Sequence, residues 1–157
     1  MNDHSTKNPK LEKRWLALCG QAGLDGGVAW RELSDAYGNP ARAYHNLHHL
    51  ADCLLRFDEH VHLAADPVAV EFAIWFHDLV YDTHAADNEE RSAAAAAEFL
   101  SSVAIGNTVA DLIRATRHDG RPGSADAALL CDIDLSILGH DPVAYDAYAR
   151  AIRQHRT

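Results

Sequence analysis

The sequence predicts an all-α domain, on three observations. Alanine occurs 28 times, against 19 occurrences of Val, Ile and Thr together; alanine is the best helix former, and β-branched residues favour strands. Helix-start and helix-stop signals follow one another along the chain. No segment shows the alternation and turn chemistry of a strand or hairpin. With 157 residues the chain reads as one domain with mass for one core, built from seven or eight short helices.

Each helix has a local reason. Residues 1–8 are polar and are expected to be disordered, which leaves 9–157 as the domain. Pro9 can open a first helix with Leu11, Trp15 and Leu18 on one face, ending near Gly20. A second runs from Val28 to Tyr37 and is closed by Gly38-Asn39-Pro40. A third is expected from about Tyr44 to Glu59, with Leu50, Leu54 and Phe57 as its apolar stripe. Asp66-Pro67 reads as N-cap and first residue of a fourth, reaching about Val80. It is apolar nearly all round and should be the central buried helix. Asp87 with Glu90 has capping-box spacing and opens an alanine-rich fifth helix to about Ser101. Asn107 can cap a sixth that ends before Asp119-Gly120, Ser124 a seventh that ends at Gly139, and Asp141-Pro142 an eighth.

Composition excludes several classes. With 14 Lys and Arg against 23 Asp and Glu, the net charge is −9, which lacks the electrostatic footprint of a duplex-DNA binder and the basic face of a membrane-surface helix. No apolar run approaches the roughly 20 residues that span a bilayer. The opening segment has no apolar core of a signal peptide. Cys19, Cys53 and Cys131 form no CxxC pair, which argues for a reducing compartment and against a zinc-thiolate site. A cytoplasmic protein is the expectation.

Three apolar stretches carry residues that do not suit a core. His77-Asp78 ends the string Trp75-Phe76-His77-Asp78-Leu79-Val80, and an ionised Asp among apolar neighbours is costly unless paired or bound to a cation. An Asp hydrogen-bonded to a core His would explain that dipeptide alone equally well. On the third helix His45 and His49 are four apart, hence on one face; His48 falls off that face. Far downstream, Asp132 and Asp134 lie in another apolar helical stretch and point to different sides, so one of them faces inward. A single divalent cation explains all three, whereas hydrogen bonding needs three separate accidents. Imidazole and carboxylate ligands suit Mn, Fe, Co, Ni or Mg, and Zn less exclusively. Of the 11 histidines, His4, His60, His62, His84, His140 and His155 read as surface residues.

These residues resemble a known pattern. His49, His77-Asp78 and Asp134 follow the H…HD…D order of the HD superfamily of metal-dependent phosphohydrolases. Tyr44 to Asp52, YHNLHHLAD, is similar to the YHNxxHAAD string of cyclic-nucleotide phosphodiesterases, a branch of that fold. WFHDLVYD, DNEERSA, ATRH and DIDLSILG extend the likeness to a bacterial group of predicted HD-domain phosphohydrolases, from about Trp15 to Arg153. The resemblance implies a helical HD-type bundle around a metal site. It implies His49, His77, Asp78 and Asp134 as ligands, with Asp78 also a catalytic carboxylate and His45 as general acid. Asp134 is preferred to Asp132 because it directly precedes Leu-Ser, as in the family. The implied activity is hydrolysis of a phosphomonoester or phosphodiester of a small molecule, a nucleotide among the candidates. The substrate-pocket residues of the phosphodiesterases do not carry over, and the chain ends at IRQHRT, where similar proteins continue, so truncation is an expectation too.

Other residues offer supporting roles. His118 suits a second-metal ligand or a phosphate contact, or a cation at a helix C-terminus. Arg117 and Arg121 suit a phosphate by bidentate hydrogen bonds, or the solvent. Asp82, Glu89 and Glu90 are placed to orient a ligand or a water, Glu90 having the capping role as its rival. Ser136 lacks a nucleophile elbow, Cys131 reads as core, and no phosphate-binding glycine loop is present. Two rival functions stand beside the hydrolase. One is a di-iron oxygenase on the same scaffold, which His118 keeps open; the other is a non-catalytic module that senses a nucleotide.

Overall fold

The structure, a computed structural model, describes residues 8–42, 46–118 and 120–138, with residues 137 and 138 described by backbone alone. Among these residues the chain is all-helical: α1 (Pro9–Gln21), α2 (Gly27–Tyr37), α3 (Leu47–His60), α4 (Pro67–Phe76), α5 (Asn88–Phe99), α6 (Gly106–Ala115) and α7 (Ala125–Leu138), with a single 3₁₀ turn at Val61–Leu63. His45, most of the N-terminal segment and the helix expected at Asp141-Pro142 lie outside the described residues. No helix among the described residues is long and apolar enough to cross a membrane.

The bundle is organised around α4. Val70 and Phe72 to Phe76 are buried on all sides, and the helix packs against α3, α5, α6 and α7. Its aromatic side meets Trp15 of α1, whose ring lies edge-on to Phe72, Trp75 and Phe76 at centroid distances of 5.8, 5.3 and 5.7 Å, a geometry the ring quadrupoles favour. The polar edge of Trp15 is satisfied by the carbonyl of Gly26 at 2.9 Å. That approach requires glycine: a Cβ at position 26 would stand 2.6 Å from Cys19 Sγ and 2.7 Å from Trp15 Nε1. Glu71, the acidic residue of α4, pairs with Arg14 of α1 at 3.2 Å and accepts from Trp75 Nε1 at 3.2 Å.

Several helix starts follow local chemistry. Asp66 caps α4 by accepting from the Ala69 amide at 3.1 Å, and Ser124 caps α7 by accepting from Ala127 at 3.0 Å. Three expectations need correction. Helix α3 begins at Leu47, because the Asn46 side chain accepts from the His49 amide at 3.1 Å and its backbone is extended. His45 precedes that cap in sequence, and its expected shared face with His49 lies outside the described residues. The capping box at Asp87 and Glu90 does not form: Asp87 makes no side-chain cap, and the Glu90 carboxylate binds Arg114 of α6 at 2.8 Å. Helix α6 starts at Gly106, so Asn107 lies inside it.

One buried carboxylate, not singled out in the sequence, ties α7 to α4. Asp126 accepts from the amides of Ala65 and Asp66 at 2.8 and 2.9 Å, joining the first turn of α7 to the segment that enters α4. Removing an acceptor from a half-buried donor costs roughly 1–3 kcal/mol. Asp126→Ala is therefore expected to lower stability by about that amount in a denaturant titration, while Asp132→Ala, an exposed change on the same helix, leaves the midpoint unchanged.

Candidate metal centre

Helix α4 ends at Phe76, a turn earlier than its apolar run suggests, and His77-Asp78 occupies the turn that follows. The physical cause is competition for the terminal carbonyls. His77 Nδ1 lies 2.6 Å from Ile74 O, and the Tyr37 hydroxyl donates to Trp75 O at 2.8 Å. The Leu79 amide then closes a tight turn onto Phe76 O at 3.0 Å. On a straight helix adjacent side chains diverge by about 100°. In this turn His77 Nε2 and Asp78 Oδ2 come to 3.0 Å.

Two further helices bring their polar residues to the same point. His49 of α3 places Nε2 at 3.5 Å from Asp78 Oδ2 and 3.3 Å from Asp134 Oδ1. Asp134 of α7 lies 3.4 Å from His77 Nε2 through the same oxygen. His49, His77 and Asp134 are buried, at 4, 3 and 4 % exposure. Asp132 is exposed, so α7 turns Asp134 to the interior. His48 is exposed too and pairs with Asp52 at 3.4 Å.

Cys53, one turn after His49, joins the group with Sγ 3.6 Å from His49 Nε2. Reading the cysteines as outside any metal site missed it; the four-residue spacing from His49 was the available signal. His118 follows α6 and reaches Asp134 Oδ2 at 3.2 Å. Its backbone sits in the left-handed region at φ 56°, where a non-glycine residue is uncommon although His is enriched. Asp82 and Glu90 are not part of the cluster. Asp82 is exposed and its carboxylate accepts from the His84 amide at 2.9 Å, while Glu90 pairs with Arg114. Arg117 and Arg121 are exposed.

The arrangement fits a metal ion. Donors about 2.1 Å from a common ion lie about 3.0–3.4 Å apart along the edges of an octahedron or tetrahedron. The four N···O separations here are 3.0, 3.3, 3.4 and 3.5 Å. His77 Nε2 is buried, and among the described residues none gives it a hydrogen bond of proper geometry. A buried, unsatisfied ring nitrogen facing two carboxylates is the state expected of a ligand. His49, Cys53, His77 and Asp134 are close enough to hold one ion.

Electrostatics agree. Burial opposes charge on His77, but the Asp78 and Asp134 carboxylates outweigh it and hold its pKa well above 6.5. Burial would raise the Asp134 pKa; the hydrogen bond with His118 and the close imidazoles of His49 and His77 bring it well below 3.8. Burial, with Asp134, Asp78 and Asp52 nearby, pushes the Cys53 thiol well above 9.0. The cluster thus holds fixed negative charge beside a proton that a cation can replace.

Comparison with protein-family models, curated proteins and solved structures gives no match. Fold and site together define a broad class: an all-α bundle with a buried cluster that could hold a metal ion.

Two outcomes follow for the cluster. His77→Ala and Asp78→Ala should each lower metal affinity by more than the roughly 10–100-fold that loss of a supporting hydrogen bond costs, and Asp134→Asn should do so while Asp132→Asn does not. Metal analysis of protein purified without chelator checks this, and full retention by either alanine variant removes that residue from the ligand set. Metal binding must also displace the proton on His77. Affinity should therefore rise with pH from 6.5 towards the raised value, with proton release visible by calorimetry in buffers of different ionisation heat. For the metal-free protein the sign differs. The His77 pairing stabilises fully below pH 6.5 and fades as pH rises through the raised value; that of Asp134 is present above 3.8 and fades as pH falls through the depressed one.

Proposed function

We propose that the protein is a metal-dependent phosphoric ester hydrolase of HD type, acting on a phosphomonoester or phosphodiester of a small molecule, with nucleotides the first class to test. The observation that carries this reading is the meeting of His49 from α3, the His77-Asp78 pair from the turn after α4, and Asp134 from α7. Their order in the chain is the H…HD…D order that resembles the HD superfamily. His49, His77, Asp78 and Asp134 would hold the ion, with Cys53 at its edge. A divalent ion so held would lower the pKa of a water and polarise a phosphoryl oxygen. The two imidazoles favour Mn, Fe, Co, Ni or Zn over Mg.

The protein's own groups would do the rest. Asp78 keeps part of its carboxylate towards solvent, at 16 % side-chain exposure, where it can orient a water as well as bind. His118 holds the far oxygen of Asp134 at 3.2 Å. His45, immediately before the Asn46 cap, is the proposed acid for the leaving oxygen, a role imidazole suits near neutral pH. The net charge of −9 does not oppose an anionic substrate, because the local field at a metal site is set by the ion.

A second reading is favoured by one observation, the additional imidazole of His118 beside Asp134. With it the cluster contains three imidazoles and two carboxylates, which suits a His/Asp di-iron oxygenase. A non-catalytic nucleotide sensor has less support, since the ligand residues are all present.

A panel of phosphoesters assayed with Mn, Co, Ni, Zn and Mg tests the proposal. Turnover that follows metal content and is lost in His77→Ala is the expected result. Two equivalents of iron with oxygen uptake, and no ester cleavage, would replace it by the oxygenase. His45→Ala should keep its metal and lose roughly 10²–10⁴-fold in turnover, less for a nitrophenyl ester whose leaving group hardly needs a proton. Equal losses for good and poor leaving groups would move the acid elsewhere.

A further inference from the structure

The turn that carries His77 and Asp78 is held by side chains from outside its own helix. The Tyr37 hydroxyl donates to Trp75 O at 2.8 Å and receives the Asp78 amide at 3.2 Å. Arg42 donates from Nη1 to Asp78 O at 2.6 Å and from Nη2 to Leu79 O at 2.7 Å. Both backbone polar groups of Asp78 are therefore fixed by residues 41 and 36 positions away. The guanidinium itself lies over two aromatic rings, 5.4 Å from the centroid of Tyr37 and 5.7 Å from that of Tyr81, a favourable setting for Arg. Burial lowers the Arg42 pKa, with Tyr37, Asp78 and Tyr81 acting the other way, so the cation sits there against its own desolvation.

This brace differs from those on the neighbouring ligands. His77 is oriented through its ring nitrogen onto Ile74 O, and Asp134 through its second oxygen onto His118. On Asp78 the Arg42 fork acts on the main chain. Two adjacent carbonyls captured by one planar fork define the direction of the chain between them, which a point-charge ammonium cannot do. The Cα–Cβ bond of Asp78 leaves from that segment.

We propose that Arg42, backed by Tyr37, is a positioning residue for the Asp78 carboxylate and sets the affinity of the centre for its ion through that carboxylate. This rests on the metal-centre reading above. The test is a Co²⁺ titration of the full chain followed by visible absorption, with thermal unfolding of each variant alongside. Wild type should bind Co²⁺. Arg42→Ala should bind it roughly 10–100-fold more weakly, the range for loss of a group that orients a ligand, with a changed visible spectrum. Arg42→Lys should stay weak, since one ammonium does not hold both carbonyls. In an Asp78→Asn background Arg42→Ala should add no further loss, because the pathway through the carboxylate is already cut.

The proposal is overturned if Arg42→Lys keeps wild-type affinity and spectrum, or if Arg42→Ala loses the same factor with and without Asp78. Should Arg42→Ala not fold, Arg42→Lys and Tyr37→Phe decide by the same comparison. Failure of wild type to bind Co²⁺ would instead remove the metal-centre reading itself, and the positioning role with it.

Discussion

A carboxylate in an apolar interior costs several kcal/mol unless opposite charge and hydrogen bonds compensate. Asp134 is buried on α7 with two imidazoles at 3.3 and 3.4 Å on one oxygen and a third at 3.2 Å on the other. Asp78 adds a second carboxylate at 3.0 Å from His77. Two acidic groups in one buried pocket demand more positive charge than neutral imidazoles supply. In the metal-free protein a proton held on His77 meets part of that demand. A divalent ion would meet it more fully and would satisfy the ring nitrogen that no described residue bonds well. The same charge balance that threatens the fold thus suits the cluster to a cation.

The rest of the bundle keeps the three contributing helices in register around this balance. Aromatic packing seats α4 against Trp15, and the Arg14–Glu71 pair orients the one acidic residue of α4 away from the cluster and towards α1. Asp126 joins the start of α7 to the entry of α4, so that two turns later Asp134 meets the residues at the far end of α4. Asn46 fixes where α3 begins, and hence the direction in which His49 and Cys53 project. None of these contacts uses a side chain of the cluster, yet each sets the position of one of its walls.

Much of this was readable from residues whose local chemistry conflicts with their setting. An Asp in an apolar stretch is such a conflict, and His77-Asp78 and Asp134 stand out for that reason. Caps at Asp66 and Ser124 were readable because a capping side chain bonds an amide three residues away. Where tertiary partners intervene, local reading fails. Glu90 has the spacing of a capping box, but Arg114 from α6 offers a full charge in place of a backbone amide. The early end of α4 depends on Tyr37, 38 residues before Trp75, and leaves no mark in the helix's own sequence. Arg42 is equally silent, because it binds carbonyls that every residue possesses. Cys53 looks like any apolar residue on a buried stripe until His49 is known to face inward.

Cys53 also bears on which ion the cluster suits. Burial and three nearby carboxylates keep its thiol protonated without a metal, so it is not a free nucleophile, and reactivity of the kind seen at electropositive cysteines is absent from its surroundings. A cation among His49, His77 and Asp134 would reverse that field, since a coordinated thiol gives up its proton outright. At 3.6 Å from His49 Nε2, Sγ stands at about the separation of sulfur and nitrogen on a tetrahedral ion with bonds of about 2.3 and 2.1 Å. Asp78 and Cys53 would therefore compete for such an ion from opposite characters, one hard and partly solvated, the other soft and buried. An oxygen-preferring ion would draw on Asp78 and leave the thiol neutral. A softer ion would draw on Cys53 and free Asp78 to face the solvent. The choice between them would set how open the site is, and would so couple the identity of a bound ion to the shape of the pocket.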